Sequence, residues 1–150
     1  MDIKSPEARS FNMSKIKNAN TQPEKYIRSL LHKAGLRFRV NYTEITGKPD
    51  LYFSRKKVAI FVHGCYWHRH EGCKYAYTPK SRLDFWLPKL EGNKKRSEAV
   101  NNKLLEDGVR VLVIWECTVK KMKKDDQYRD DKIKVITDFI QNDEFVLMDL

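Results

Sequence analysis

Three histidines, two cysteines and two adjacent aromatic residues fall within Phe61-Val62-His63-Gly64-Cys65-Tyr66-Trp67-His68-Arg69-His70-Glu71-Gly72-Cys73. Three chemistries are available to such a stretch. Thiolates and imidazoles ligate metals. Neutral imidazole positions or deprotonates water, and imidazolium stabilises or protonates a leaving oxygen. Tyr66 and Trp67 offer flat faces for stacking. Cys65-x4-His70-x2-Cys73, completed by Cys117, makes a Cys3His set that uses all three cysteines of the chain. Four protein ligands suit a tetrahedral structural zinc site with no open position, so this metal would staple a loop and do no chemistry. His68 can replace His70 in that set on spacing alone. The plainer alternative is three partly buried thiols.

A second constellation lies just upstream. Pro49-Asp50 opens one strand, and the following strand ends at Val62-His63. A carboxylate on one strand and groups at the end of the next can converge on a divalent cation, as Mg²⁺ is held beside a scissile phosphate. Asp after Pro is ordinarily a turn residue, and it is His63 and His68 nearby that give Asp50 weight. Glu24 has a structural explanation of its own. In Thr21-Gln22-Pro23-Glu24, Thr is an N-cap, Pro suits the first turn and Glu completes a capping box, a reading preferred here to a catalytic one.

The elements that must position these residues follow from periodicity. Ile27, Leu30, Leu31 and Ala34 recur at helical spacing up to the stop at Gly35. Residues 38–42 alternate as a half-buried strand, and residues 50–53 and 58–62 form an antiparallel hairpin across Ser54-Arg55-Lys56. Ser81-Arg82-Leu83-Asp84 opens a short helix that Pro88 should end or kink, and a separate helix runs from about Asn93 to Gly108. Residues 109–115 are the most apolar run and read as a central strand. Residues 120–126, rich in lysine, read as a solvated loop. Ile133, Ile136, Phe139 and Ile140 mark a last helix, and residues 145–147 dock or add a strand. The expectation is one α/β domain over residues 1–150, with a mixed sheet and helices on both faces.

Composition sets the partner class. Thirty basic against 20 acidic residues give a net charge of +10, which favours a polyanion, nucleic acid before membrane surface. No apolar run reaches the length of a membrane span, and residues 1–6 lack a signal-peptide core, so the expected location is cytoplasmic. An odd number of cysteines argues against a disulfide framework. Residues 1–20 read either as a tail or as a DNA-contacting arm, because Met13 and Ile16 are interleaved with cations.

Taken in order, Arg9-Ser10-x2-Met13-x2-Ile16, Thr21-x2-Glu24, Gly47-x-Pro49-Asp50, Phe61-x-His63-Gly64-Cys65-x-Trp67-His68, Phe85-Trp86-x2-Lys89 with Asn93, and Trp115-Glu116-Cys117 resemble the very short patch repair endonuclease family. The resemblance spans residues 9–117. It implies a restriction-endonuclease-like fold and a Mg²⁺-dependent enzyme acting on double-stranded DNA, nicking 5′ to the T of a T:G mismatch left by 5-methylcytosine deamination. It further implies Mg²⁺ on Asp50 and the main-chain carbonyl of Val62, with His63 and His68 as acid–base or leaving-group residues and Glu24 on a metal-bound water. Zinc would sit on Cys65, His70, Cys73 and Cys117. Tyr66, Trp67 and Trp86 would wedge beside the mismatch, with Met13 and Ile16 entering from the opposite groove and Lys89 and Asn93 reading the bases. A soft, mismatched step is cheap to unstack, so such wedges convert softness into selectivity. Core packing is the competing explanation for Trp86.

This chain departs from the family pattern at three places. Val stands at position 62 where Thr is frequent, Ser97 stands where an Asp supports the second His, leaving that support to the neighbouring Glu98 or weakening it, and Glu71-Gly72 is one residue longer than usual. A single nick needs one active site and suits a monomer, and mismatch-repair proteins are candidate partners. Two other classes of function compete: a nuclease of the same fold with restriction-linked specificity, and a non-catalytic, zinc-bearing DNA-binding module.

Overall fold

A computed structural model describes residues 20–150. Helix α1 (Gln22–Lys33) starts where the sequence says it should. The Thr21 hydroxyl accepts the Glu24 N–H at 3.4 Å, and Pro23 occupies the first turn. Ile27 and Leu31, one turn apart, are fully buried. Strand β1 is only Arg39–Val40 and both residues are exposed, so the half-buried strand expected over 38–42 shrinks to an edge. Its flanking aromatics do the packing instead. Phe38 joins the core, and Tyr42 stacks on Tyr52 at 4.8 Å.

Strands β2 (Leu51–Phe53) and β3 (Val58–His63) form the expected antiparallel hairpin, with Leu51 opposite Ile60. Strand β4 (Arg110–Trp115) lies parallel to β3, and β5 (Leu147–Asp149) lies parallel to β4 at the far edge. The sheet therefore runs β1-β2-β3-β4-β5 with mixed direction, as expected.

Both faces of β3 and β4 are covered, which is why their runs are almost wholly apolar. Val58, Ile60, Leu112 and Ile114 face one core with α1 and the two helices α3 (Glu116–Lys124) and α4 (Asp126–Gln141). Ala59, Phe61, Val111 and Val113 face the other core against helix α2 (Leu83–Glu106). Buried Arg110, at the start of β4, donates to the carbonyls of Ile140 and Asn142 at 2.9 and 2.7 Å and so caps the end of α4. No described helix is long and apolar enough to cross a membrane.

Two expectations are corrected. Residues 120–126 are not a solvated loop, because α3 covers most of them. Val119 and Met122 sit one turn apart and are buried in the core, and each such burial is worth roughly 1.5–3 kcal/mol. Nor does Pro88 divide two helices, since α2 runs unbroken over 24 residues, with Arg82 rather than Ser81 in the cap position. An interior proline costs about 3 kcal/mol. Leu90 and Leu104, both buried on the helix's inner side, offset that cost.

Candidate active site and metal centre

The parallel register of β3 and β4 builds the metal centre. His63 lies opposite Trp115 at the strand ends, so Cys65 and Cys117, each two residues further on, emerge side by side. The loop after Cys65 turns tightly, with the His68 and His70 N–H groups donating to the Gly64 and Cys65 carbonyls. It returns His70 and Cys73 to the same point. Ligand atoms of Cys65, His70, Cys73 and Cys117 all lie within 4.8 Å of one another. Zinc–sulfur bonds of about 2.3 Å in a tetrahedron place sulfurs about 3.8 Å apart, so the four residues fit the ion.

Burial pushes the Cys65 thiol up to about 12, while its sulfur accepts the Cys117 N–H at 3.3 Å. Burial also raises Cys73, but N–H groups of Tyr75 and Ala76 and hydrogen bonds from Cys65 and Cys117 outweigh it and lower that thiol. His70 Nδ1 lies 3.5 Å from Cys117 Sγ, and its ring stacks flat on Trp115 at 4.1 Å. The choice between His68 and His70 is thereby made by geometry in favour of His70.

On the other side of Trp115 a cleft of about 350 Å³ gathers Glu24, Asp50, Val62, His63 and His68 with Asn93, Arg96, Ser97 and Asn101. Asp50 Oδ2 accepts the Val62 N–H at 2.7 Å. Burial, with Glu24 adding to it, raises the Asp50 carboxyl from 3.8 to about 7 despite that bond. Buried Glu24 keeps its cap, but its Oε2 reaches one residue past Thr21 to the Asn20 N–H at 2.8 Å. Arg28 pairs with the same oxygen at 3.2 Å. Capping and facing the cleft are thus compatible in one side chain. Two carboxylates held in a half-closed, oxygen-rich cleft make a donor set suited to Mg²⁺.

His63 and His68 stack face to face, with centroids 3.9 Å apart and planes 5° from parallel. Burial first, then His68, lowers His63 to about 3. Burial first, then the Arg96 charge, lowers His68 to about 4. At an effective dielectric of 20, two charges at that separation would repel by about 4 kcal/mol, which adds to burial in keeping both rings neutral near pH 7. His68 Nδ1 lies 2.8 Å from Ser97 Oγ. Where the sequence leaves this support to Glu98 or weakens it, Ser97 itself contacts the ring.

Helix α2 carries one continuous stripe along the site. Trp86, Lys89, Asn93, Arg96, Ser97 and Val100 recur at three- and four-residue spacing, and a break at Pro88 would have rotated the first two away from the rest. Gly47 lets the Asp50 turn close on this stripe. Its φ is +81°, and an added Cβ would overlap Val100 Cγ1. Arg96, which donates to Asn93 Oδ1, was not singled out in the sequence. Its place three residues after Asn93 and one before Ser97 is the signal that could have found it.

Tyr66, Trp67 and Trp86 do come together. Tyr66 meets Trp67 edge-on at 5.2 Å, and Trp67 lies 6.2 Å from Trp86. Phe85 and Tyr77, which the sequence did not single out as wedge residues, extend the cluster, and both are exposed. Trp86 belongs to neither core, so core packing does not account for it. Lys89 stands 5.6 Å over the Trp86 ring and outside the cleft that Asn93 lines. Met13 and Ile16, with the rest of the expected DNA-contacting arm through residue 19, lie outside the described residues.

Comparison with known proteins gives the same direction. A family model described as DNA mismatch endonuclease Vsr matches residues 1–74. The type II nicking enzyme V.XorIIP of Xanthomonas oryzae pv. oryzae is 46% identical over 116 residues, which are 77% of this chain and 85% of the relative. The type II nicking enzyme V.NmeAIP of Neisseria meningitidis is 40% identical over 119 residues, 79% of this chain and 84% of the relative. The DNA mismatch endonuclease Vsr of Escherichia coli is 38% identical over 123 residues, 82% of this chain and 78% of the relative.

Proposed function

From the premise that the chain belongs to the DNA mismatch endonuclease Vsr family, and so is a DNA endonuclease, we propose that it nicks one strand of duplex DNA as a restriction-linked enzyme of the type II nicking kind. The observation that carries a nicking chemistry is the single cleft in which Glu24 and Asp50 face the stacked His63 and His68. A non-catalytic binding module has no use for that arrangement.

Asp50 and the Val62 carbonyl would hold Mg²⁺, with Glu24 on its bound water. When bound, the ion would supply Lewis-acid stabilisation of the phosphate charge. Hydrolysis joins the oxygen of a water to phosphorus and breaks the phosphorus–O3′ bond. One neutral imidazole of the pair takes the water's proton. The pair returns to neutrality when that proton reaches the leaving O3′, and burial, which disfavours the charged ring, favours the hand-over. Ser97 fixes the His68 ring while this happens. Zinc on Cys65, His70, Cys73 and Cys117 would anchor the loop that carries His68.

A second reading, T:G mismatch repair 5′ to the T, is favoured by a specific observation. The cluster of Tyr66, Trp67 and Trp86, in which Trp67 precedes His68 of the cleft in the chain, is suited to wedging into an unstacked step. Lys89 and Asn93 would then approach the bases, with Met13 and Ile16 on the other side.

Supercoiled plasmids separate the readings. Two matched plasmids, with and without a short candidate target sequence, are compared with plasmids carrying one T:G pair inside or outside that sequence. Nicking that depends on the surrounding sequence and tolerates a matched pair supports restriction-linked specificity. Nicking at T:G in every context supports the repair reading. Binding without any nick in Mg²⁺ would overturn both.

A further inference from the structure

Beyond the zinc centre, on the side away from the cleft, lies a second cavity of about 370 Å³ that the nicking chemistry does not use. It is lined by Lys74 and Tyr75 from the end of the zinc loop, Cys117, Thr118, Lys120, Lys121 and Lys124 of α3, and Tyr128 of α4, so it borders the metal centre through Cys117. Among the described residues no carboxylate lines it. Glu116 reaches Lys120 from outside at 3.5 Å and offsets one of the four charges. Two tyrosines arrange the cations. Lys120 Nζ stands 4.0 Å and Lys74 Nζ 5.1 Å from the Tyr75 ring, and Lys121 Nζ stands 4.4 Å from the Tyr128 ring.

Lysines in the last turn of α3 complement the helix dipole, which explains Lys121 and Lys124 in part. It does not explain why the zinc loop brings Lys74 to the same place, or why two aromatic rings stand against three of the four ammonium groups. Four lysines gathered around one cavity repel each other, and an anion with several oxygens relieves that repulsion.

We propose that this lysine–tyrosine pocket is a phosphate-backbone site that grips the duplex beyond the scissile strand position. The proposal rests on the chain being a DNA endonuclease. Tyr75 in the pocket follows His68 in the cleft by seven positions, a span of at most about 24 Å even if extended. That is about seven base-pair steps of duplex, so one DNA molecule reaches both. The Cys3His centre lies between them and, by fixing both ends of residues 65–73, sets their spacing. Phosphate contacts of this kind fix register and add affinity without reading sequence.

The test is the salt dependence of binding, read by fluorescence anisotropy on labelled matched and T:G duplexes with no Mg²⁺, so that uncut DNA is measured. Lys121→Glu/Lys124→Glu should weaken binding to both duplexes about equally, by about an order of magnitude near 0.1 M salt. It should also reduce the slope of log K against log salt by about 1.8, for two lost phosphate contacts. Lys74→Ala, which leaves α3 intact, should weaken both in the same direction with a smaller change in slope. The control with the same change in net charge is Arg55→Glu/Lys56→Glu, in the β2–β3 turn, and its slope should match the wild type. An unchanged slope in the α3 double variant, or equal losses in it and the control, would overturn the proposal. Because no cleavage is measured, either result leaves the nicking test independent.

Discussion

Asp50→Asn should make the protein more stable while removing its nicking activity, and the gain should depend on pH. Among the described residues the Asp50 carboxyl accepts one hydrogen bond, from the Val62 N–H, and it sits largely out of water near Glu24; burial and then that neighbour lift it from 3.8 to about 7. The unfolded chain loses this proton near 3.8, whereas the folded chain keeps it to about 7. The folded state therefore binds more protons between these values, and wild-type stability falls as pH rises through that window. At 1.36 kcal/mol per pH unit, the full cost above pH 7 is about 4 kcal/mol. Asn keeps an oxygen for the Val62 N–H and carries no charge, but its amide group can lack a partner, which offsets about 1–3 kcal/mol. A net gain of about 1–3 kcal/mol at pH 8 is expected, smaller by about 2 kcal/mol at pH 5.5 and reversed below a crossover at about pH 4.5–6. Urea unfolding of the zinc-loaded proteins without Mg²⁺, at pH 5.5 and 8, measures it. Equal differences at the two pH values, or a loss at pH 8, would refute the reasoning. Magnesium should then stabilise the wild type alone, more strongly at pH 8 than at pH 6, since Asp50 must lose its proton to bind the ion.

Three further outcomes follow from the geometry. Ser97→Ala removes the partner of His68 Nδ1 and should slow nicking roughly tenfold, for a hydrogen bond worth about 1.4 kcal/mol, with thermal stability nearly unchanged; Ser97→Asp should restore the rate and shift its pH profile upward. Cys73→Ser, or chelation of the wild type, should release one zinc per chain by atomic absorption, lower the melting temperature and abolish nicking, because the loop bearing His68 loses its anchor. Gly47→Ala should cost about 1–3 kcal/mol, from the positive φ and the overlap with Val100, and should reduce nicking because the turn carrying Asp50 moves away from α2; a variant as stable and active as the wild type would show that the turn is not tightly seated.

Legibility in the sequence varied with how local the cause was. Cys65, Cys73 and Cys117 could be assigned together because they exhaust the cysteines, yet only the β3–β4 register explains why residues 52 apart meet. The hairpin, the central strand and the α1 cap were readable from short patterns of a few residues each. Helix α3 was not, because its core face rests on little more than Val119 and Met122 among lysines, too sparse a period to outweigh the charge. Pro88 misled for the opposite reason: its local penalty is clear, whereas the packing of Leu90 and Leu104 that overrides it is tertiary. Ser97 looked like a lost partner because Ser is not the family's Asp, but a hydroxyl at 2.8 Å does the orienting without the charge. The aromatic cluster was named in part; Tyr77 and Phe85 enter through loop and helix geometry that no spacing rule supplies.

The central claim is that one cleft, built on Asp50 and the stacked imidazoles, cuts DNA that the rest of the surface holds. Its most direct test is Asp50→Ala assayed in parallel for nicking of a supercoiled target plasmid in Mg²⁺ and for binding of the same site on a labelled duplex. The account predicts loss of nicking by at least about a thousandfold, as expected when a metal-borne Lewis acid worth several kcal/mol is removed, with binding retained within a few-fold. Nicking at the wild-type rate with Asp50 gone would contradict it.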